Sequence, residues 1–184
     1  TEGTLSTNTS GYSAARSRMP LEAAEWFAKQ VSHSLIDATQ PTWKKRRVFT
    51  LDGTTMTLPP EPALQKAFPA ASNQYGKGVW PVMLLTVCHE LSSGAALVPE
   101  VGAMYGPAAV SETALIRQSL AQLPPDSVVM ADAGFGIFSV AFQIRQAGHA
   151  FLLRMTQQRF DSLKKKSELV ESGDHHKVWS HRWT

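Results

Sequence analysis

Two aspartates in this 184-residue chain occupy positions from which a carboxylate can do chemistry. Asp132 ends the run Ser127-Val128-Val129-Met130-Ala131 and is followed at once by Ala133-Gly134-Phe135. A short apolar run closed by turn signals reads as a strand buried on both faces. A carboxylate at the carboxyl end of such a strand lies where open α/β sheets place their ligand crevices. Asp52 repeats the arrangement upstream, where Val48-Phe49-Thr50-Leu51 leads into Asp52-Gly53-Thr54. Two buried strands that each deliver an aspartate suggest a divalent-metal site, because hard cations take oxygen ligands. An aspartate between a strand and a glycine is also a common turn former, and that reading stays open for either residue taken singly.

The elements that must position this pair follow from periodicity and punctuation. Leu21, Ala24, Ala28, Val31 and Leu35 fall on one helical face, and Gln40-Pro41 ends that helix near Ala38. Val48 to Leu51 is the first strand. The proline-rich stretch from Leu58 to Pro69 reads as a loop with a helical turn at Ala63 to Ala67. Val82 to Leu91, the turn Ser92-Ser93-Gly94 and Ala95 to Tyr105 form an antiparallel hairpin, with Pro99 weakening its second arm. Ser111-Glu112 starts a helix through Leu123 whose apolar face is Leu115, Ile116 and Leu120. The Asp132 strand follows, then a helix from Ser139 to Gln146 closed by Gly148, and a strand from Ala150 to Met155. The order is strand, hairpin, helix, strand, helix, strand: an α/β sheet with an antiparallel and a parallel portion. Residues 1–13 read as a loop. Beyond Met155 the chain reads as a polar, weakly periodic tail, in which His175, His176 and His181 are solvent-exposed and not a metal cluster.

Charge is unevenly spread. From Val48 to Leu153 four basic residues face seven acids, a net of −3, so the flanks carry +6 of the overall +3. Lys44-Lys45-Arg46-Arg47 is the densest basic run; such a cluster neutralises phosphates, or is merely a solvated strand edge. Cys88 is the only cysteine, so no internal disulfide forms, which fits a reducing cytoplasm. It reads as a buried small hydrophobe, with a nucleophile paired to His89 as the lesser alternative. No apolar run approaches the roughly 18 residues that a membrane crossing needs. The chain opens Thr-Glu-Gly without Met or a signal pattern, and reads as a piece of something longer.

The order of elements and their motifs resemble a ribonuclease H-like fold, and within it the catalytic domain of a bacterial insertion-sequence DDE transposase of the Tyr-Arg-Glu-Lys signature group. Ala15-Arg16-Ser17-Arg18-Met19-Pro20 resembles the Ala-Arg-x-Arg-x-Pro segment upstream of such domains. Asp52-Gly53-Thr54 resembles the first-aspartate motif, and Ala131-Asp132-Ala133-Gly134-Phe135 the second. Ser93-Gly94, Gly106 and Ser111-Glu112 match the hairpin turn and helix start between them. The likeness covers roughly residues 10–160. Two departures stand out. Many relatives carry Arg after the second aspartate, where this chain has Ala133. The family's third carboxylate, in a Tyr-x2-Arg-x3-Glu-x6-Lys helix often beyond a β-rich insertion, has no match between Met155 and Thr184.

The resemblance implies metal-dependent cleavage and strand transfer at insertion-sequence ends. Asp52 and Asp132 would be catalytic ligands of Mg2+ (Mn2+ as a substitute), and Lys44, Lys45, Arg46 and Arg47 would contact DNA. It implies double-stranded DNA as partner, both transposon ends and target, a homodimer for the full-length protein, no membrane, and a bacterial cytoplasmic, nucleoid-associated location. Three segments are expected: a basic helical flank at 1–46, a partial ribonuclease H-like core at 47–156, and the start of an insertion or C-terminal segment at 157–184. Without the glutamate the chain alone is expected to be inactive. Two other readings are a non-catalytic DNA-binding remnant and an unrelated α/β metal-dependent phosphohydrolase using the same aspartates.

Overall fold

Val48-Phe49-Thr50-Leu51 combines β-branched and aromatic residues suited to a strand with both neighbours paired, and it becomes the middle of the sheet. The computed structural model describes residues 9–41, 43–74 and 76–182. In chain order its elements are α1 (Ser10–Arg18), α2 (Leu21–Asp37), β1 (Val48–Thr57), α3 (Pro62–Ala67), β2 (Ser72–Asn73), β3 (Gly76–Lys77), β4 (Val82–Glu90) and β5 (Glu100–Ala103). They continue with α4 (Glu112–Ala121), β6 (Val128–Ala131), α5 (Phe138–Gln146), β7 (Ala150–Leu153), α6 (Gln157–Lys164), β8 (Glu168–Ser172) and β9 (Lys177–Ser180). The five-stranded sheet has the order β5-β4-β1-β6-β7. β1, β4 and β5 pair antiparallel, whereas β6 and β7 run parallel to β1. This mixed sheet with flanking helices is the ribonuclease H-like arrangement that the sequence motifs resemble.

One face of the sheet carries the core. Phe49 and Leu51 of β1, Cys88 of β4 and Val129 of β6 pack against Ile116 and Leu120 of α4 and Val140 and Ile144 of α5. Each such fully buried aliphatic or aromatic side chain contributes roughly 1.5–3 kcal/mol by leaving water. Because side chains alternate along a strand, Thr50, Asp52, Val87, Met130 and Asp132 belong to the opposite face, away from α4 and α5. A buried polar staple closes the β4 hairpin. The Glu90 carboxylate accepts from the Ser93 N–H (2.7 Å) and from the hydroxyls of Ser92 (2.9 Å) and Ser93 (2.8 Å), with Arg47 at 3.7 Å. Burial works against the ionised form of Glu90, but these donors and the Arg47 charge outweigh it and hold the carboxyl below its ordinary value.

Several expectations need correcting. β1 does not stop at Leu51: antiparallel pairing with β4 carries it on to Thr57, so Asp52-Gly53-Thr54 lies inside a strand. The second hairpin arm is shorter than Ala95 to Tyr105. Continuous pairing begins only at Glu100, since Pro99 lacks an N–H, although Ala96 still bridges His89. α2 has the expected length, but its apolar stripe is not its packing face. Leu21, Val31 and Leu35 are exposed, while Ser32 and Ile36 are buried and the Ser32 hydroxyl donates to the Ala96 carbonyl at 2.5 Å. Of the loop expected at 1–13, residues 1–8 lie outside the described residues and 10–13 are helical in α1. The polar tail is structured. Thr156 caps α6 by accepting from the Arg159 N–H, and β8 and β9 form a hairpin whose Trp179 packs edge-on against Phe160 of α6. Within it His176 pairs with Glu171 at 2.8 Å. Among the described residues no helix is long and apolar enough to cross a membrane.

Candidate active site

The two aspartates arrive from neighbouring strands. The parallel ladder of β1 and β6 ends with Leu51 opposite Ala131, so Asp52 and Asp132 are the next residue on each chain. Adjacent strands lie ~4.8 Å apart, and the core-facing Leu51 and Ala131 turn the following carboxylates to the open face. Both line one cleft of about 740 Å³, together with Thr50, His89, Met130 and Arg154. The sequence reading of Asp52 and Asp132 as a pair therefore coincides with their juxtaposition in space.

Each carboxylate is set by local backbone donors. Asp52 Oδ1 accepts from the Gly53 N–H at 2.8 Å. Asp132 Oδ1 accepts from the Gly134 N–H at 2.8 Å and the Phe135 N–H at 3.4 Å, an Asx-type turn that fixes its rotamer. Both side chains are exposed to the cleft. Among the described residues neither has a cationic partner, and Oδ2 of each takes no hydrogen bond. Two oxygen donors on adjacent strands with free lone pairs suit a hard divalent cation. Among the described residues no third His, Cys, Asp or Glu joins them within reach of one ion.

The turn behind Asp132 is held from outside. Arg159 of α6 donates through Nη1 to the carbonyls of Ala133 (2.6 Å) and Gly136 (3.4 Å). Gly136 lies so close to the next strand that a β-carbon there would stand 2.0 Å from the Arg154 carbonyl oxygen. Arg154 in turn donates its N–H to the Ala131 carbonyl at 3.0 Å, which fixes it at the mouth of the cleft. Arg154 and Arg159 were not singled out by sequence reasoning. A basic residue directly after an apolar strand was the available signal for Arg154, whereas nothing local marks Arg159.

The basic run lies elsewhere. Trp43 and Arg46 bridge across a tight turn in which Lys44 (φ 47°) and Lys45 (φ 65°) are left-handed. The turn precedes Val48, at the amino end of the parallel strands, four residues along β1 from Asp52. Arg46 is paired with Asp126. Arg47 donates to the Thr39 carbonyl at 3.0 Å and faces Glu90. Lys44 and Lys45 remain exposed, with the Lys44 ammonium over the Trp43 ring at 5.0 Å. The structure thus does not bring Lys44, Lys45, Arg46 or Arg47 to the aspartate cleft. Nor do Cys88 and His89 pair: Cys88 faces the core, 1% exposed, and burial pushes its thiol up to about 12, while His89 lines the cleft on the other face.

Comparison with known proteins bears on the same residues. Residues 43–184 match the family described as "Transposase DDE domain". A relative from Escherichia coli (strain K12), named "Putative transposase InsZ", is 26% identical over 137 residues, covering 73% of this chain and 44% of InsZ. The chain therefore spans less than half the length of that relative. The match begins at the turn before β1 and runs through both aspartate strands, the carboxylate cleft and the hairpin. On that match, and on the sheet that carries the cleft, the chain belongs to the DDE transposase family.

Proposed function

We propose that this chain supplies the first two metal-binding carboxylates, Asp52 and Asp132, of a transposase that cleaves and joins DNA phosphodiesters at insertion-sequence ends. The observation that carries this reading is the convergence of both aspartates, from adjacent parallel strands, on one open cleft. Bound Mg2+, or Mn2+ in its place, would supply water activation and stabilisation of the leaving oxygen. Asp52 and Asp132 would hold it through the oxygens left unbonded, with the Asx turn keeping the Asp132 carboxylate aimed into the cleft. Arg154 would take a DNA phosphate at the cleft mouth, since a guanidinium matches phosphate geometry and stays charged. Lys44 and Lys45, at the amino end of the same strands, are placed to touch only more distant phosphates.

Two carboxylates hold a divalent cation weakly, so the 184-residue chain by itself should not cleave DNA. Cleavage, strand transfer and homodimeric action on paired ends, in the bacterial nucleoid, are assigned to the full-length protein. Family membership removes the unrelated phosphohydrolase as a reading. The test is a Mn2+ titration of the purified chain, followed by the EPR signal of the free ion. Asp52→Asn and Asp132→Asn should each abolish saturable binding. Saturable binding that survives in both variants would place the ion elsewhere and defeat the proposal.

A further inference from the structure

Arg159 lies 27 residues after Asp132, on a different element, yet its guanidinium ends on the turn that follows Asp132. The core side of that turn is held by Phe135, which is buried in the core and whose carbonyl accepts from the Ile137 N–H at 2.8 Å. The Gly134 and Phe135 amides are committed to the Asp132 carboxylate itself. The Ala133 and Gly136 carbonyls are both taken by Arg159 Nη1. The α6 scaffold is itself anchored, through the Thr156 cap and the packing of Phe160 on Trp179.

We infer that Arg159 is a positioning residue for Asp132: its guanidinium clamps the 133–136 turn and so fixes the direction in which the Asp132 carboxylate presents its free oxygen. Arg159 does not touch the carboxylate. It acts by holding the carbonyls at either end of the turn whose amides bind Oδ1, so that the two hydrogen-bond sets close on each other. Outer partners of a ligand act in this way in metal sites, where their loss weakens metal binding by about 10–100-fold. The inference rests on the reading of Asp132 as a metal ligand, but the clamp has a readout independent of metal.

The experiment compares wild type, R159A and R159K on the 184-residue chain by amide hydrogen exchange resolved at Gly134 and Phe135, by Mn2+ titration and by thermal melting. R159A should speed exchange of both amides by about tenfold or more and weaken Mn2+ binding by about tenfold. R159K, which can still donate to one carbonyl, should recover part of both. Amides remote from the turn, such as those of Ile116 and Val129, should keep their protection, which a general loss of stability would not allow. If R159A does not fold, R159Q is read in the same way. Unchanged exchange at Gly134 and Phe135 refutes the clamp whatever the metal does. Faster exchange with wild-type Mn2+ affinity refutes the positioning role. A wild-type chain that binds no Mn2+ defeats the metal-site reading and, with it, the positioning role.

Discussion

Replacing Gly136 with alanine tests how tightly the Asp132 turn is tied to the neighbouring strand. The added β-carbon would stand 2.0 Å from the Arg154 carbonyl oxygen and 3.1 Å from its carbonyl carbon, and both are backbone atoms that no rotamer change can move. Ordinary contact requires about 3.4 Å, so one backbone must retreat by more than ~1 Å. If Arg154 retreats, its N–H loses the Ala131 carbonyl now at 3.0 Å, a hydrogen bond worth about 1 kcal/mol. Overpacking adds about 1–3 kcal/mol. If the turn retreats instead, the Arg159 bond to the Gly136 carbonyl is lost, at a similar penalty. Either route predicts a destabilisation of about 2–4 kcal/mol, or roughly 4–16 °C in melting temperature for a chain of this size. Urea unfolding followed by circular dichroism measures it, and Mn2+ titration should show weakened binding in the same variant. Gly53→Ala is the control. Its β-carbon would stand 2.6 Å from the Glu112 carboxyl and 3.0 Å from its Cγ, atoms of a flexible side chain that can swing aside, so its effect should stay under about 1 kcal/mol. A G136A chain within about 0.5 kcal/mol of wild type would refute the claim that the two backbones touch so closely.

Three further outcomes are expected. Ser111→Ala removes the side chain that accepts the Ala114 N–H at the start of α4 and should cost about 1 kcal/mol, read from the shift of a urea midpoint. His149 is buried, and desolvation holds its pKa below 6.5 despite the Leu120 carbonyl bond and Asp126, which favour the charged form, while Arg46 disfavours it. Its Nδ1 has no hydrogen-bond partner among the described residues. Below 6.5 the unfolded chain therefore takes up a proton that the folded chain refuses, and stability should fall as pH drops from about 6.5 through the lower folded value. Melting curves between pH 7.5 and 5 check this, and an H149Q chain with the same pH slope as wild type would remove His149 as the cause. Cys88 should resist aqueous thiol reagents in the native state and react fully on unfolding, because it is 1% exposed and its thiol is pushed up to about 12. Stoichiometric labelling without unfolding would contradict that placement.

Strong local patterns held: the Ser111 cap and the Leu115, Ile116 and Leu120 face of α4 appear as expected, as does the left-handed Gly148 after α5. Asp52-Gly53-Thr54 reads as a strand end because turn propensity is local, whereas the β4 ladder that carries β1 through it is a long-range interaction. The Leu21 to Leu35 stripe of α2 has helical periodicity, but periodicity cannot say which face finds a partner, and here Ser32 and Ile36 do. The tail beyond Met155 looked formless because α6 is only eight residues long and its support, Phe160 on Trp179, joins positions far apart in sequence.

The sequence by itself determined the order of elements, the helical face that seals the core, and the two strands that end in or pass through an aspartate. Hydrophobic period, caps and turn residues act within a few positions and can be read there. Only the tertiary structure decided that Asp52 and Asp132 share a cleft, because that depends on β1 and β6 pairing in register across the intervening chain. It also decided which cations attend them. Lys44, Lys45, Arg46 and Arg47 form the conspicuous cluster, yet they sit at the amino end of the strands, whereas the unremarked Arg154 and Arg159 reach the cleft and its supporting turn. Charge acts through distance in space, and strand direction, invisible in composition, sets that distance.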